Sequence, residues 1–331
     1  MTKWRPFSGY VIVILLLYLI GFASMASVVK IQPNMVGLAL LAYTFGLRHA
    51  FDVDHIAAID NTVRKLLQQK VNPTGVGFFF SLGHSTVVFV LAVITIISTQ
   101  WMTTALPQFE NIGSVLGTSI SGVFLLVIGT INFIVFVNLI GLFRQIQRGH
   151  YQPEAIEQQL NSRGFFTRIL SFAMKLVSKS WHIYPIGFLF GLGFDTASEV
   201  ALLTISAEAA KGSLPLMGIL GLPIFFAAGM VTVDTFDGVM MMKTYTWAFL
   251  SPLRKLYYNL SITGLAVATA LVIGFVELGQ VIASEIKWHG MFWTWLQGIN
   301  FGDLGYVLVA LFVLAWLISY GGWKLMNQKE G

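Results

Sequence analysis

The chain contains no cysteine, and Asp, Glu, Lys and Arg together make up only 11% of its 331 residues. The first absence excludes disulfides, a cysteine nucleophile and every thiolate metal site. The second sets the chain apart from soluble domains, in which roughly a quarter of residues are charged. The sequence also has no GxxxxGK[ST] phosphate loop, no HExxH helix and no GxSxG turn. ATP hydrolysis by a phosphate loop and the two commonest hydrolase signatures are therefore not written in this chain.

What is present is apolar. Hydrophobic residues make up 56% of the chain. They fall in eight blocks, at residues 10–29, 36–59, 77–98, 118–142, 183–206, 216–239, 260–281 and 305–323. A hydrocarbon core about 30 Å thick needs about 20 helical residues to cross it. The blocks predict an all-α, polytopic membrane protein with eight transmembrane helices. The first block follows Lys3 and Arg5 and contains small residues near Ala26, as a cleaved signal peptide would; its full spanning length predicts that it is retained.

Orientation follows from the basic residues, which concentrate in cytoplasmic loops. The N-terminus, the loops after blocks two, four and six, and the C-terminus carry 16 of the 20 Lys and Arg residues. Both termini are expected on the cytoplasmic side of the cell membrane. The net charge of +5 records this bias and gives no reason to expect nucleic acid as a partner. The chain reads as one integral membrane unit, with an N-half at 1–143, a cytoplasmic loop at 144–180 and a C-half at 181–331. Apolar residues at helical spacing from Phe166 to Val177, beside Arg168, Lys175 and Lys179, make part of that loop either an amphipathic surface helix or a basic linker.

The halves resemble each other. An offset of 145 places Phe45-Gly46-Leu47 on Phe190-Gly191-Leu192 and Asp54 on Glu199, and an offset of 146 places Phe79-Phe80, Gly83 and Thr86 on Phe225-Phe226, Gly229 and Thr232. With the predicted topology the repeat is inverted, a plan in which secondary transporters place their site near the midplane.

Polar side chains interrupt the apolar blocks at four places. Block two carries His49, Asp52, Asp54 and His55 beside Arg48, although each charge at a helix centre costs about 2.5 to 3.5 kcal/mol on insertion scales. On a regular helix His49, Asp52 and His55 span an arc of roughly 120° and line one wall. Asp54 points elsewhere, so the helix is either unwound there or Asp54 orients an imidazole from behind. Block three adds Gly83-His84-Ser85-Thr86, in which His84 supplies a third nitrogen. Block five carries Asp195 and Glu199, and block six Met230, Asp234 and Asp237. Asp195 and Glu199 share a face at i, i+4, as do Met230 and Asp234, where the thioether is either a ligand or packing. Imidazole with carboxylate suits Ni, Co, Zn, Fe or Cu(II) better than Mg or Ca, and the excess of buried acids calls for a cationic partner. His289 lies among Trp288, Trp293 and Trp295 and reads as part of an interfacial aromatic belt.

Taken together, residues 48–56 resemble the HX4DH signature of the nickel/cobalt transporter family, with His49, Asp54 and His55 at its named positions. Residues 79–88, 192–199 and 229–238 are similar to the other three signatures, in order. The resemblance implies high-affinity uptake of Ni²⁺ or Co²⁺ by a non-enzymatic permease, with the metal as substrate and no cofactor. It also implies a lipid bilayer around the chain and no obligatory ATPase. Val53 and Ser198 depart from the expected residues without touching a proposed ligand. Two rival classes are an intramembrane metal-dependent hydrolase and a subunit of a multi-component transporter.

Overall fold

The structure is a computed structural model and describes residues 5–97, 99–147, 177–193, 197–211, 214–248, 252–299 and three isolated positions at 310, 311 and 314. Among the described residues there is helix and no strand. The helices are α1 (Arg5–Ala26), α2 (Met35–His49), α3 (Val53–Gln68), α4 (Val76–Ile97) and α5 (Thr99–Gln147). After a short 3-10 turn at Ser180–Ile183 come α6 (Tyr184–Phe190), α7 (Ala197–Ala210), α8 (Leu216–Ile219), α9 (Gly221–Ala248), α10 (Pro252–Ile286) and α11 (Met291–Gln297).

Five stretches are long and apolar enough to cross a membrane: Ser8–Ala26, Val76–Ile97, Val115–Ile134, Leu216–Thr246 and Thr263–Ile286. They fall on the first, third, fourth, sixth and seventh apolar blocks. The eighth block lies outside the described residues except at positions 310, 311 and 314, and the amphipathic stretch of the central loop lies outside them up to residue 176. Several expected loops are helical. The 49-residue α5 begins at Thr99, absorbing the polar approach to block four, and at 1.5 Å per residue it is about 74 Å long. The stretch after block two, read as a cytoplasmic loop, is the second half of α3, where Arg64 is 0% and Lys65 3% exposed.

Blocks two and five, which carry the first and third signatures, are not single helices. α2 stops at His49, the chain turns through Ala50 and Phe51, and Asp52 is extended at φ −62°, ψ 140° before α3 begins. Apolar surroundings offer no water to free amides, so such a corner has to satisfy its own backbone. It does so with short bonds, from Phe51 N–H to the Arg48 carbonyl at 3.0 Å and from Asp52 N–H to that of His49 at 2.9 Å. Block five breaks after Phe190, where Gly193 N–H reaches the Phe190 carbonyl at 2.9 Å; residues 194–196 lie outside the described set.

Small residues bring the backbones together around these breaks. A methyl group on Gly46 of α2 would overlap the Phe226 carbonyl of α9, and Gly229 of α9 faces Tyr43 and Leu47 of α2. On the other side, a methyl group on Gly187 of α6 would overlap the Phe80 carbonyl of α4, and Gly83 of α4 faces Tyr184 and Phe188 of α6. On the second side the two helices run the same way, Gly187 lying by Phe80 and Gly191 by His84, while on the first Gly46 of α2 lies by Phe226 and His55, past the break on α3, lies by Asp234 further along α9. Helices α4 and α9 also pack on each other, and α5 with α10 forms a second antiparallel layer.

Candidate metal site

The break in block two points two histidines at a third. His49 is the last residue of α2, His55 lies in the first turn of α3, and His84 projects from the middle of α4. The three ring centroids form a near-equilateral triangle with sides of 4.7, 4.8 and 4.8 Å. One ring nitrogen from each lies within 4.8 Å of the other two. All three residues are at most 3% exposed. Phe80 packs edge-on against His55 at 4.9 Å, and Phe226 lies 5.8 Å from His49.

Two of the imidazoles are held from behind by carboxylates. His49 Nδ1 lies 2.9 Å from Asp52 Oδ2, and His55 Nδ1 lies 3.1 Å from Asp234 Oδ2. An ionised carboxylate only accepts hydrogen bonds, so in both rings Nδ1 carries the proton it donates. In the neutral ring the lone pair then sits on Nε2, the tautomer that carboxylate–histidine–metal triads use. His55 Nε2 has no hydrogen-bond partner among the described residues. His49 Nε2 faces His84 Nε2 at 3.0 Å, and the same His84 nitrogen is 2.8 Å from Glu199 Oε1. Glu199 Oε1 is also 3.8 Å from His49 Nε2. A proton on His84 Nε2 satisfies one of these neighbours and leaves the others facing each other, whereas one cation among them is attracted to all.

The expected residues therefore divide. His49, His55, His84 and Glu199 converge, with Asp52 and Asp234 bonded to two of the rings. Asp54 orients no imidazole: its Oδ1 accepts the His55 backbone N–H at 2.9 Å. It occupies the first turn of α3, where an anion satisfies an otherwise unpaired amide and complements the helix dipole. The alternative of local unwinding, raised by the helical-wheel mismatch, is what the backbone adopts. Met230 is fully buried in the apolar cluster that contains Ala50 and Phe226. Asp237, three residues past Asp234 on α9, has a buried Oδ2 without a hydrogen-bond partner among the described residues. Asp195 lies outside the described residues. Arg48, the basic residue expected within block two, is exposed, and the buried basic residue is Arg64.

Sequence reasoning did not assign a polar group further along α3. Asp60 Oδ1 accepts the Tyr245 hydroxyl at 2.5 Å, and Arg64 Nη2 donates to Asn61 Oδ1 at 2.9 Å. Asn132 of α5 donates to the same Asn61 oxygen at 2.5 Å. The Asp60-Asn61-Thr62 run at the end of an apolar block was its one visible signal. Glu277 of α10 is 3% exposed and accepts the Ser121 hydroxyl of α5 at 3.0 Å; nothing about its spacing marked it.

Comparison with known proteins agrees with this chemistry. The family described as "High-affinity nickel-transport protein" (NicO) matches residues 35–321. The chain is 50% identical over 322 residues to the nickel transporter NixA of Staphylococcus aureus, covering 97% of this chain and 94% of that protein. It is 48% identical over 335 residues to the high-affinity nickel-transport protein NixA of Helicobacter pylori strain J99, covering 99% of each. It is also 39% identical over 321 residues to the cobalt transport protein NhlF of Rhodococcus rhodochrous, covering 95% of this chain and 91% of that one. No solved structure matches. With the family matched over most of its length and long apolar helices throughout, the chain is a multi-pass membrane protein that belongs to the NicO family of high-affinity nickel-transport proteins.

Proposed function

We propose that this protein imports Ni²⁺ or Co²⁺ across the cytoplasmic membrane as a single-chain secondary transporter, through a site made by His49, His55, His84 and Glu199. The observation that carries this reading is the convergence of three buried imidazole nitrogens within 4.8 Å. Two of those rings are in the metal-binding tautomer. Imidazole donors with one carboxylate favour Ni²⁺ and Co²⁺ over the abundant Mg²⁺ and Ca²⁺, which take oxygen ligands. Asp52 and Asp234 hold the rings, Asp237 continues the acidic lining, and Asp195, next to the second break, is a further candidate ligand. Met230 forms an apolar wall. The nickel and cobalt named for the relatives fit this donor set.

The membrane potential suffices as the driving force. About 2.3 kcal/mol per charge per 100 mV gives a dication about 4.6 kcal/mol. At about 1.4 kcal/mol per decade this supports accumulation of roughly a thousandfold. Both termini are cytoplasmic in this reading, and eight spans form an inverted repeat. What supports the repeat is the matching of contacts. Tyr43, Gly46 and Leu47 meet Phe226 and Gly229 as Tyr184, Gly187 and Phe188 meet Phe80 and Gly83. This pairs the arms before the breaks at an offset of 141, so that Gly46 answers Gly187 and not Gly191 as the sequence match had it, while the offset of 145 still pairs Asp54 with Glu199. Hydroxyl contacts follow the same pairing: Tyr184 meets Thr86 at 3.0 Å, and Tyr18 bridges Tyr43 and Thr232 at 3.2 and 3.1 Å.

The test is energised uptake of ⁶³Ni and ⁵⁷Co by cells expressing the chain, then by proteoliposomes containing it alone. Saturable uptake is expected, and it should be lost in His49→Ala, His55→Ala and His84→Ala variants present at equal membrane levels. No uptake by the intact chain in cells would remove the transporter reading. Uptake in cells but not in proteoliposomes would make it a subunit of a larger system.

A further inference from the structure

The polar group around Asp60 holds none of the imidazoles, yet its Asp60 and Arg64 are among the fully buried charges of the described residues. Asp60 and Arg64 are each 0% exposed, one helical turn apart on α3. Asp60 is five residues beyond His55, about 7.5 Å along the helix axis. Across from it on α9, Asp237 follows Asp234 by three residues, and the next residue, Gly238, packs against Ile59, the neighbour of Asp60 on α3. Acids thus stand on both facing helices between the imidazole that Asp234 holds and the Tyr245 hydroxyl that Asp60 accepts.

Two observations show groups here that lack a protein partner among the described residues. Asp60 Oδ2 and Asp237 Oδ2 are both buried without a hydrogen-bond partner among the described residues. Arg64 is equally incomplete: Nη2 is tied to Asn61, but Nε and Nη1 are buried without a partner. It lies one turn from Asp60 on the same helix, yet no ion pair closes between them within 4.0 Å among the described residues. Buried charges are stable only when paired and hydrogen-bonded. Carboxylates and a guanidinium that are near but not closed on each other describe a site whose cation is exchangeable.

Resting on the transport reading above, we propose that Asp60, Asp237 and the Tyr245 hydroxyl form a second divalent-cation station on the cytoplasmic side of the imidazoles, with Arg64 as its tethered counter-cation. The donors are all oxygen, so Ni²⁺ or Co²⁺ binds there more weakly than among imidazoles, which suits release over retention. Arg64 is held to α5 through Asn61 and Asn132. It neutralises the acids between transport events and displaces the arriving ion towards the cytoplasm.

The experiment is ⁶³Ni²⁺ equilibrium dialysis against the purified full chain in detergent. The wild type is expected to bind one ion per chain, because the buried Arg64 charge one turn from Asp60 repels a second dication there. Arg64→Gln is expected to bind two, Arg64→Gln/Asp60→Asn one, and His49→Ala/Arg64→Gln one, at the oxygen station. Arg64→Met keeps the length of the side chain without its charge and is read in the same way should the Gln variant not yield a monodisperse protein. A single ion in the charge-removed variants, with one in the wild type, would overturn the second station. No ion bound by the wild type would instead remove the imidazole site on which the transport reading rests.

Discussion

At the residue scale, the site separates groups that meet the ion from groups that aim them. Asp52 and Asp234 each fix one ring through Nδ1 at 2.9 and 3.1 Å. Loss of such a partner typically lowers metal affinity about 10- to 100-fold while leaving the ligand in place. Asp52→Asn and Asp234→Asn are therefore expected to weaken Ni²⁺ binding by about one to two decades in equilibrium dialysis, with unchanged thermal unfolding temperatures. Wild-type affinity in either variant would show that the ring is held by packing alone. Asp54 belongs to a different class. Its bond to the His55 amide is a helix-start contact, so Asp54→Ala is expected to destabilise by about 1 kcal/mol with a smaller change in affinity than either of the other two. The sequence spacing set Asp52 and Asp54 two residues apart in block two and Asp234 in block six, and its helical wheel turned Asp54 away from the wall lined by His49, Asp52 and His55. A helical wheel assumes an unbroken helix, and at Asp52 the backbone is extended.

At the element scale, two interrupted helices are pressed against two continuous ones. The contacts at Gly46 and Gly187 leave no room for a side chain. Overpacking of this kind costs about 1 to 3 kcal/mol when neighbours can shift, and here the neighbour is backbone. Gly46→Val and Gly187→Val are each expected to lower the unfolding temperature and to reduce uptake by more than either change in stability explains, because α2 and α6 lead into the breaks. Full uptake in both would show that the breaks tolerate helix displacement. Blocks two and five were legible as apolar segments with polar insertions, but their interruption was visible only as a mismatch at Asp54. The same composition is compatible with a kinked or a broken helix, and the choice depends on carbonyls and amides finding partners at the corner, such as Phe51 with Arg48.

At the scale of the whole molecule, the measurable property is accumulation against a potential. For a dication, each change of about 30 mV in membrane potential is expected to change the steady-state ratio of ⁶³Ni tenfold, from about 4.6 kcal/mol per 100 mV and about 1.4 kcal/mol per decade. Potassium-loaded proteoliposomes with valinomycin set that potential directly. A ratio that follows a pH gradient and ignores the potential would replace this driving force with proton coupling. The long α5 and α10 pack on each other, and α3 touches both. The polar group at Asp60, Asn61 and Arg64 is therefore enclosed between this layer and α9.

The sequence alone determined the class of protein, because apolar blocks of spanning length have only one solvent in which they are stable, and its signatures placed the chain among metal transporters. It also named every histidine of the site, since a buried imidazole in an apolar block is conspicuous wherever it falls. Only the tertiary structure decided which acids serve which ring, that Met230 joins an apolar wall, and that Arg64 is interior while Arg48 is exposed. Those outcomes depend on what α4, α5 and α9 bring to the broken helix from more than 20 residues away, and local spacing carries no record of distances across a bundle.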